Sequence, residues 1–353
     1  MPSSFDSTIL ADYDDGKEGR GEARSLGFLP HVGVNRAMRW LQTAREWLDD
    51  LQRSWRQPRS SPSVSRGAAS RPLNYGPLER VLLTDGVGRT LFEEFASHRA
   101  EARGEEETGW LLLGLREARE AVVVATLPAG TLRDASVAHV RFNSNAQVLA
   151  SRIVRQTDRR LTTLGVVHTH PGSLRHPSDG DLRGDRQWVA NLRGKEGVFG
   201  IGTADGVPTP GDLFAYQPRP HVQCLKGLRF SWYALRQGDS AYRPLPVELT
   251  IGPDLARSLH EIWPTLEFHA ERIERLYRQQ SALRFEVMSD EWGPGLLLIL
   301  PLAEPGDSLR VLIRPKEVRY YVLRSGELLE VQHHDEWVDR GVYLLLAELA
   351  ARA

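Results

Sequence analysis

The sequence predicts a mixed α+β / α/β protein: a layered sandwich of helices around a mixed sheet over residues 73–243. A helix and linker region (1–72) precedes it and an α+β accessory domain (244–353) follows. Short apolar runs alternate with segments of helical period from Arg80 onward, the pattern of a sheet covered by helices. A Pro/Ser/Gly-rich stretch from Pro58 to Pro72 sets off one end, and five strand-like runs after Arg284 set off the other. At 353 residues, the chain is also longer than one hydrophobic core usually serves.

Residues 1–30 are acidic, Gly-rich and without period, which predicts disorder. From Val34 through Met38, Leu41, Ala44, Leu48 and Leu51 to Trp55, apolar residues recur at spacings of three and four, a stripe widened by Trp40 and Trp47. Such a helix, isolated by a linker, either docks on the chain's own domains or serves a partner. In the middle region, Arg80–Leu83, Trp110–Gly114, Ala121–Thr126, His139–Phe142, Leu164–His168 and Val198–Gly202 read as strands, with Phe230–Leu235 as a last edge. Gly88–His98 and Ala146–Leu161 read as helices, the second with Val148, Leu149, Ile153 and Val154 facing inward. In the last region Asp254–Trp263 and Leu266–Leu283 are helical and separated by Pro264, which breaks or kinks a helix. Five strands follow: Arg284–Met288, Leu296–Leu302, Ser308–Ile313, Val318–Leu323 and Leu328–Gln332. Their turn signals include Gly293-Pro294-Gly295 and Ser325-Gly326, and Tyr343–Arg352 is a closing helix.

Composition excludes several classes. The 45 basic and 46 acidic residues leave a net charge of −1, which gives no footprint for nucleic acid or a membrane surface. Cys224 is the only cysteine, so neither an intrachain disulfide nor a Cys-based zinc site can form. The first residues lack the basic and apolar regions of a signal peptide, and the apolar run Leu296–Ala303 is too short to span a bilayer. The expected location is the cytoplasm. Only Lys17, Lys195, Lys226 and Lys316 are lysines, against 41 arginines, a bias that GC-rich coding produces and that suggests a bacterial chain.

The chemistry concentrates between Val166 and Asp181. His168 and His170, two apart at the end of an apolar strand, point to one face, the geometry for two ligands of one tetrahedral metal. Asp181 can return as a third ligand, leaving a fourth position for water as in catalytic zinc sites. Ser178-x-x-Asp181 also reads as a capping box with Ser178 as N-cap. Thr169, on the opposite face, reads as packing, and His176 as a loop histidine. Weaker candidates are His333-His334-Asp335, whose consecutive side chains point to opposite faces, and His260 and His269, which read as helix-surface residues. Cys224 reads as a small packed residue, and Trp110 and Trp188 as packing beside the site.

Taken together, His168-Thr169-His170-Pro171, then Pro177-Ser178 and Asp181, resemble the motif of the JAMM (JAB1/MPN/Mov34) zinc metalloproteases, in particular prokaryotic JAB-type, deubiquitinase-like members. The family's upstream Glu matches Glu107, about 60 residues before His168, by its distance to Gly114; Glu105 and Glu106 do not fit, and Trp110 stands where the family has a Gly. The resemblance covers roughly residues 75–235. It implies an MPN (cytidine-deaminase-like) α-β-α sandwich with Zn2+ held by His168, His170 and Asp181. It implies Glu107 as general acid–base and Ser178 as the donor to the developing oxyanion. The implied reaction is hydrolysis of the bond after the C-terminal glycine of a ubiquitin-like protein. The implied partners are that modifier, its conjugates and activating- and conjugating-enzyme-like proteins, some in anti-phage systems. Within the resemblance, a processing peptidase for a ubiquitin-like or sulfur-carrier precursor and a non-catalytic MPN scaffold are alternatives.

Overall fold

The computed structural model describes residues 74–130, 144–205, 215–333 and 335–351. The chain divides into Met1–Ser70 and Arg71–Ala353, and every described residue belongs to the second unit. The helix expected over Val34–Trp55, the linker after it and the strand expected over His139–Phe142 lie outside the described residues.

The chain builds a mixed α/β architecture around two sheets. Strands β1 (Arg80–Thr84), β2 (Gly109–Arg116), β3 (Glu120–Pro128), β4 (Thr162–Thr169) and β5 (Glu196–Thr203) belong to the first. It also contains β6 (Tyr216–Arg219), β7 (Val222–Leu225), β8 (Leu228–Arg236), β9 (Arg243–Pro244) and β10 (Val247–Thr250). The order is β10-β1-β3-β2-β4-β5-β8-β7-β6, with β9 on β8. The sheet is curled: the Val247 N–H donates to the Pro220 carbonyl at the β6–β7 turn (2.8 Å) and the Leu245 N–H to the Trp232 carbonyl (3.0 Å). The boundary expected at residue 243 therefore falls inside this sheet, because β10 pairs in parallel with β1.

Helix α1 (Asp85–Ala100) starts where the Thr84 side chain accepts the Val87 N–H, and its Leu91, Phe92 and Phe95 enter one core of the sheet. Phe230 of β8 anchors that core, edge-on to Phe92 at 5.0 Å and to Trp110 at 6.3 Å. The segment Phe230–Leu235 is thus interior rather than an edge, lying between β5 and β7 with both faces buried.

Helix α2 (Ser144–Arg155) stops six residues before Leu161. It buries Ala146, Leu149, Ala150, Ile153 and Val154, whereas Val148 is 48% exposed and not inward as expected. It packs on Leu266, Ala270, Ile273 and Leu276 of α5 (Trp263–Gln279), beside a bidentate Arg152–Glu274 pair at 2.8 and 2.9 Å. Pro264 begins α5 rather than kinking it, since a first-turn residue needs no N–H partner. The preceding helix is one short turn, α4 (Arg257–Glu261).

The second sheet is an antiparallel meander of β11 (Arg284–Asp290), β12 (Gly293–Pro301), β13 (Ser308–Arg314), β14 (Glu317–Arg324) and β15 (Glu327–Val331). Gly293-Pro294-Gly295 lies within β12 and not in a turn. Alternation along β12 sends Leu296, Leu298 and Leu300 to one face. There they join α2, α5 and Val338, Val342 and Leu345 of the last helix, α6 (Val338–Ala351), in one core. Leu113, Ala125 and Leu127 of the first sheet complete it.

Close backbone approach fixes one glycine in the strand that leads to the histidines. A Cβ on Gly165 of β4 would lie 1.6 Å from the Val198 carbonyl oxygen of β5. Gly165→Ala is expected to destabilise the fold by about 3 kcal/mol, because backbone rather than a mobile side chain must yield. A denaturant midpoint equal to the wild type would contradict this.

Candidate metal centre

His168 ends the interior run Leu164-Gly165-Val166-Val167 of β4, and His170 follows just beyond the strand, its N–H held by the Gly202 carbonyl of β5 at 2.8 Å. Strand alternation puts both imidazoles on one face, Nε2 to Nε2 3.1 Å, both residues buried. Helix α3 (Asp179–Val189) brings the third donor. Ser178 is its N-cap: Oγ accepts the Asp181 N–H (3.2 Å), while the Asp181 carboxylate accepts the Ser178 N–H (2.6 Å). The capping box and the ligand arrangement are therefore one structure. The cap orients the carboxylate, placing Oδ1 3.2 Å from His168 Nε2 and Oδ2 3.5 Å from His170 Nε2.

These atoms suit a metal ion. The three residues each offer a ligand atom, all within 4.8 Å of one another. Ligand atoms around four-coordinate zinc, with bonds of about 2.0–2.1 Å, stand about 3.3 Å apart; the two Nε2 atoms, 3.1 Å apart, and Asp181 Oδ1, 3.2 Å from His168 Nε2, are close to that value. His170 Nδ1 lies 2.8 Å from the Leu174 carbonyl, which can only accept, so a neutral ring carries its proton there and offers the Nε2 lone pair.

The field around the histidines is negative. Burial opposes a charge on His168, yet the Asp181 hydrogen bond and the charges of Asp181, Glu107 and Asp185 raise its pKa. Burial likewise opposes ionisation of Asp181, but His168, His170 and the Ser178 amide hold it well below the usual carboxylate range.

Glu107 is buried where the chain enters β2, two residues before Gly109, which pairs with His168. Its charge is among those that raise the His168 pKa. Ser178 is half-buried, and accepting the Asp181 N–H leaves its own O–H proton available. His168, His170 and Asp181 thus come together at the end of β4 and the start of α3, with Ser178 capping that helix and Glu107 preceding β2, the strand that pairs with β4.

Residues 89–215 match the family model described as prokaryotic homologs of the JAB domain. This segment belongs to the JAB family. It contains Glu107, His168, His170, Ser178 and Asp181. No curated protein matches the chain. Among solved structures, it is similar to the solution structure of protein DSY2949 from Desulfitobacterium hafniense, with 17% identity over 49% of this chain and 95% of that chain and a TM-score of 0.32.

One charged residue of the JAB domain was not singled out by its sequence. Asp185 lies one helical turn after Asp181 and accepts the Trp188 indole N–H (3.0 Å) and the Tyr242 hydroxyl (2.7 Å). Burial pushes its pKa up to about 6, against those two hydrogen bonds and the charge of His168. The i, i+4 spacing to Asp181 was the available signal; Tyr242 was not, being 57 residues away. Asp185→Asn is expected to weaken binding of added zinc about tenfold by removing a charge behind the ligands. A raised carboxylate pKa makes the fold lose stability as pH rises from about 4 through about 6, and the variant loses that slope. Competition with a chromogenic chelator and melting curves across that range check both; unchanged zinc affinity would contradict the first.

The other candidates fall elsewhere. Trp110 faces the Phe230 core, on the side of β2 and β4 away from the histidines, while Trp188 packs on Phe199 at 5.7 Å. His260 is no surface residue: Nε2 donates to the Thr126 carbonyl (2.6 Å) and Nδ1 meets the Glu94 carboxylate, tying α4 to α1 and β3. His269 is also buried, 5% exposed, and burial lowers its pKa to about 4. Cys224 is buried in β7. His333 packs edge-on to Tyr320, and His334 lies outside the described residues. Among described residues, no helix is long and apolar enough to cross a membrane.

Proposed function

We propose that this chain is a zinc-dependent metallo-isopeptidase that hydrolyses the bond after the C-terminal glycine of a ubiquitin-like modifier. The observation that carries the reading is the convergence of donor atoms from His168, His170 and Asp181 within 4.8 Å of one another, with Ser178 capping the helix that brings Asp181 and a buried Glu107 just before the strand paired with His168. Zinc at this position lowers the pKa of a water toward neutrality and polarises a carbonyl oxygen.

The chain's own groups do the rest. Glu107 takes the proton from the attacking water and returns it to the departing amine, so that lysine leaves neutral. The Ser178 O–H donates to the scissile carbonyl oxygen as negative charge builds there; its Oγ lone pair is already engaged by the Asp181 N–H, which fixes the hydroxyl in place. Asp181 is held by the helix cap, so little reorganisation is needed when substrate arrives. The proposed setting is the cytoplasm, with a ubiquitin-like protein, its conjugates and the activating- and conjugating-enzyme-like proteins that make them as partners.

The test is mass analysis of products after incubating the zinc-loaded protein with two substrates. One is a ubiquitin-like protein joined to a lysine side chain, and the other is the same protein carrying a peptide extension after its terminal glycine. The proposal expects release of the free modifier from the lysine conjugate. Cleavage of the extension alone would move the assignment to precursor processing, and cleavage of neither would favour a scaffold.

A further inference from the structure

Thr169, between the two histidines, faces the opposite side of β4 and is 2% exposed. Its two branches are sorted. The methyl Cγ2 packs over Gly202 of β5, where it lies 3.1 Å from the position a Cβ would take. Oγ1 turns to the other neighbour, β2, and accepts the Thr108 N–H at 2.9 Å. The Thr169 main-chain N–H donates to the Thr108 carbonyl at 2.8 Å, and Oγ1 lies 3.4 Å from that same carbonyl.

Both backbone groups of Thr108 are therefore held by one residue. Regular pairing of β2 with β4 begins at Gly109 opposite His168, and the side chain of Thr169 extends the ladder by one residue toward Glu107. The nitrogen it holds belongs to the peptide that joins Glu107 to Thr108. Fixing that peptide plane places the Glu107 Cα and its Cα–C axis, so that only rotation about this one bond is left to set where Cβ points. A β-branched hydroxyl residue suits the task, because the branch locks χ1 while the oxygen supplies the acceptor.

We infer that Thr169 is a positioning residue that aims Glu107 at the donor cluster through the Glu107–Thr108 peptide. The catalytic part of this inference rests on the reading of Glu107 as general base. Thr169→Val keeps the shape and loses the acceptor, whereas Thr169→Ser keeps the acceptor. In the full-length, zinc-loaded protein, the valine variant is expected to show faster amide exchange at Thr108 and a displaced carboxyl carbon resonance for Glu107. It should retain one zinc, keep KM near the wild-type value and lose about tenfold in kcat on the lysine conjugate. The serine variant is expected to restore the exchange rate, the resonance and kcat.

A valine variant with wild-type resonance and kcat would overturn the inference, as would a serine variant as impaired as valine. Zinc loss in the valine variant would overturn it too, since Thr169 would then be supporting the histidines. If the wild-type protein cleaves no conjugate, the functional reading fails alone; the positioning role still stands or falls on the Thr108 exchange and the Glu107 resonance.

Discussion

Asp181→Asn is expected to strip the protein of zinc and of activity while leaving the fold nearly intact. Structural zinc in zinc-finger peptides is bound by roughly 10–16 kcal/mol through four protein ligands; with only three here, loss of the anionic one is expected to cost at least about 10²–10³-fold in affinity. The structural cost is smaller. Asparagine at the third position of α3 still offers an oxygen to the Ser178 N–H, now 2.6 Å from the carboxylate, and only the charge assistance is lost, about 1 kcal/mol. Metal analysis after gel filtration should find the variant empty, with a melting temperature within a few degrees of the metal-free wild type. Full zinc occupancy in the variant would remove Asp181 from the ligand set.

Glu107→Gln separates metal binding from proton transfer. The substitution preserves volume at a buried position, and Glu107 is not among the three residues whose donor atoms converge. Zinc is therefore retained at one equivalent, while conjugate cleavage falls by about 10²–10⁴-fold, the range for losing a general acid–base group. Initial rates alongside metal content read both quantities. A variant that cleaves at the wild-type rate would take Glu107 out of the mechanism, and one that also loses zinc would make it a ligand.

The site was legible because its signals are local. Strand alternation alone sets His168 and His170 side by side, and Ser178 and Asp181 stand in the spacing of a helix cap, so two short-range rules fix three donors. What could not be read was set by partners distant in the chain. Asp185 matters through Tyr242, and His260 is buried because Glu94, 166 residues earlier, meets it. Thr169 looked like packing because alternation says which face a side chain takes, not that its hydroxyl will hold the backbone next to Glu107. Phe230–Leu235 was misplaced for a related reason: order along the chain is not order across a sheet, and β7 and β6 return to cover it. Its nearly continuous apolar run, interrupted only by Ser231 and buried on both faces, was the signal of an interior strand. Val148 shows the same limit on a helix, where α5 rather than the sequence pattern decided which side was covered.

The most direct test is a zinc titration of chelator-treated protein, followed by cleavage of a lysine-linked ubiquitin-like conjugate. The ligand set described here predicts no cleavage without metal and a linear rise that breaks at one zinc per chain. Cleavage that survives the chelator, or none at one equivalent of bound zinc, would contradict a hydrolytic centre built on His168, His170 and Asp181.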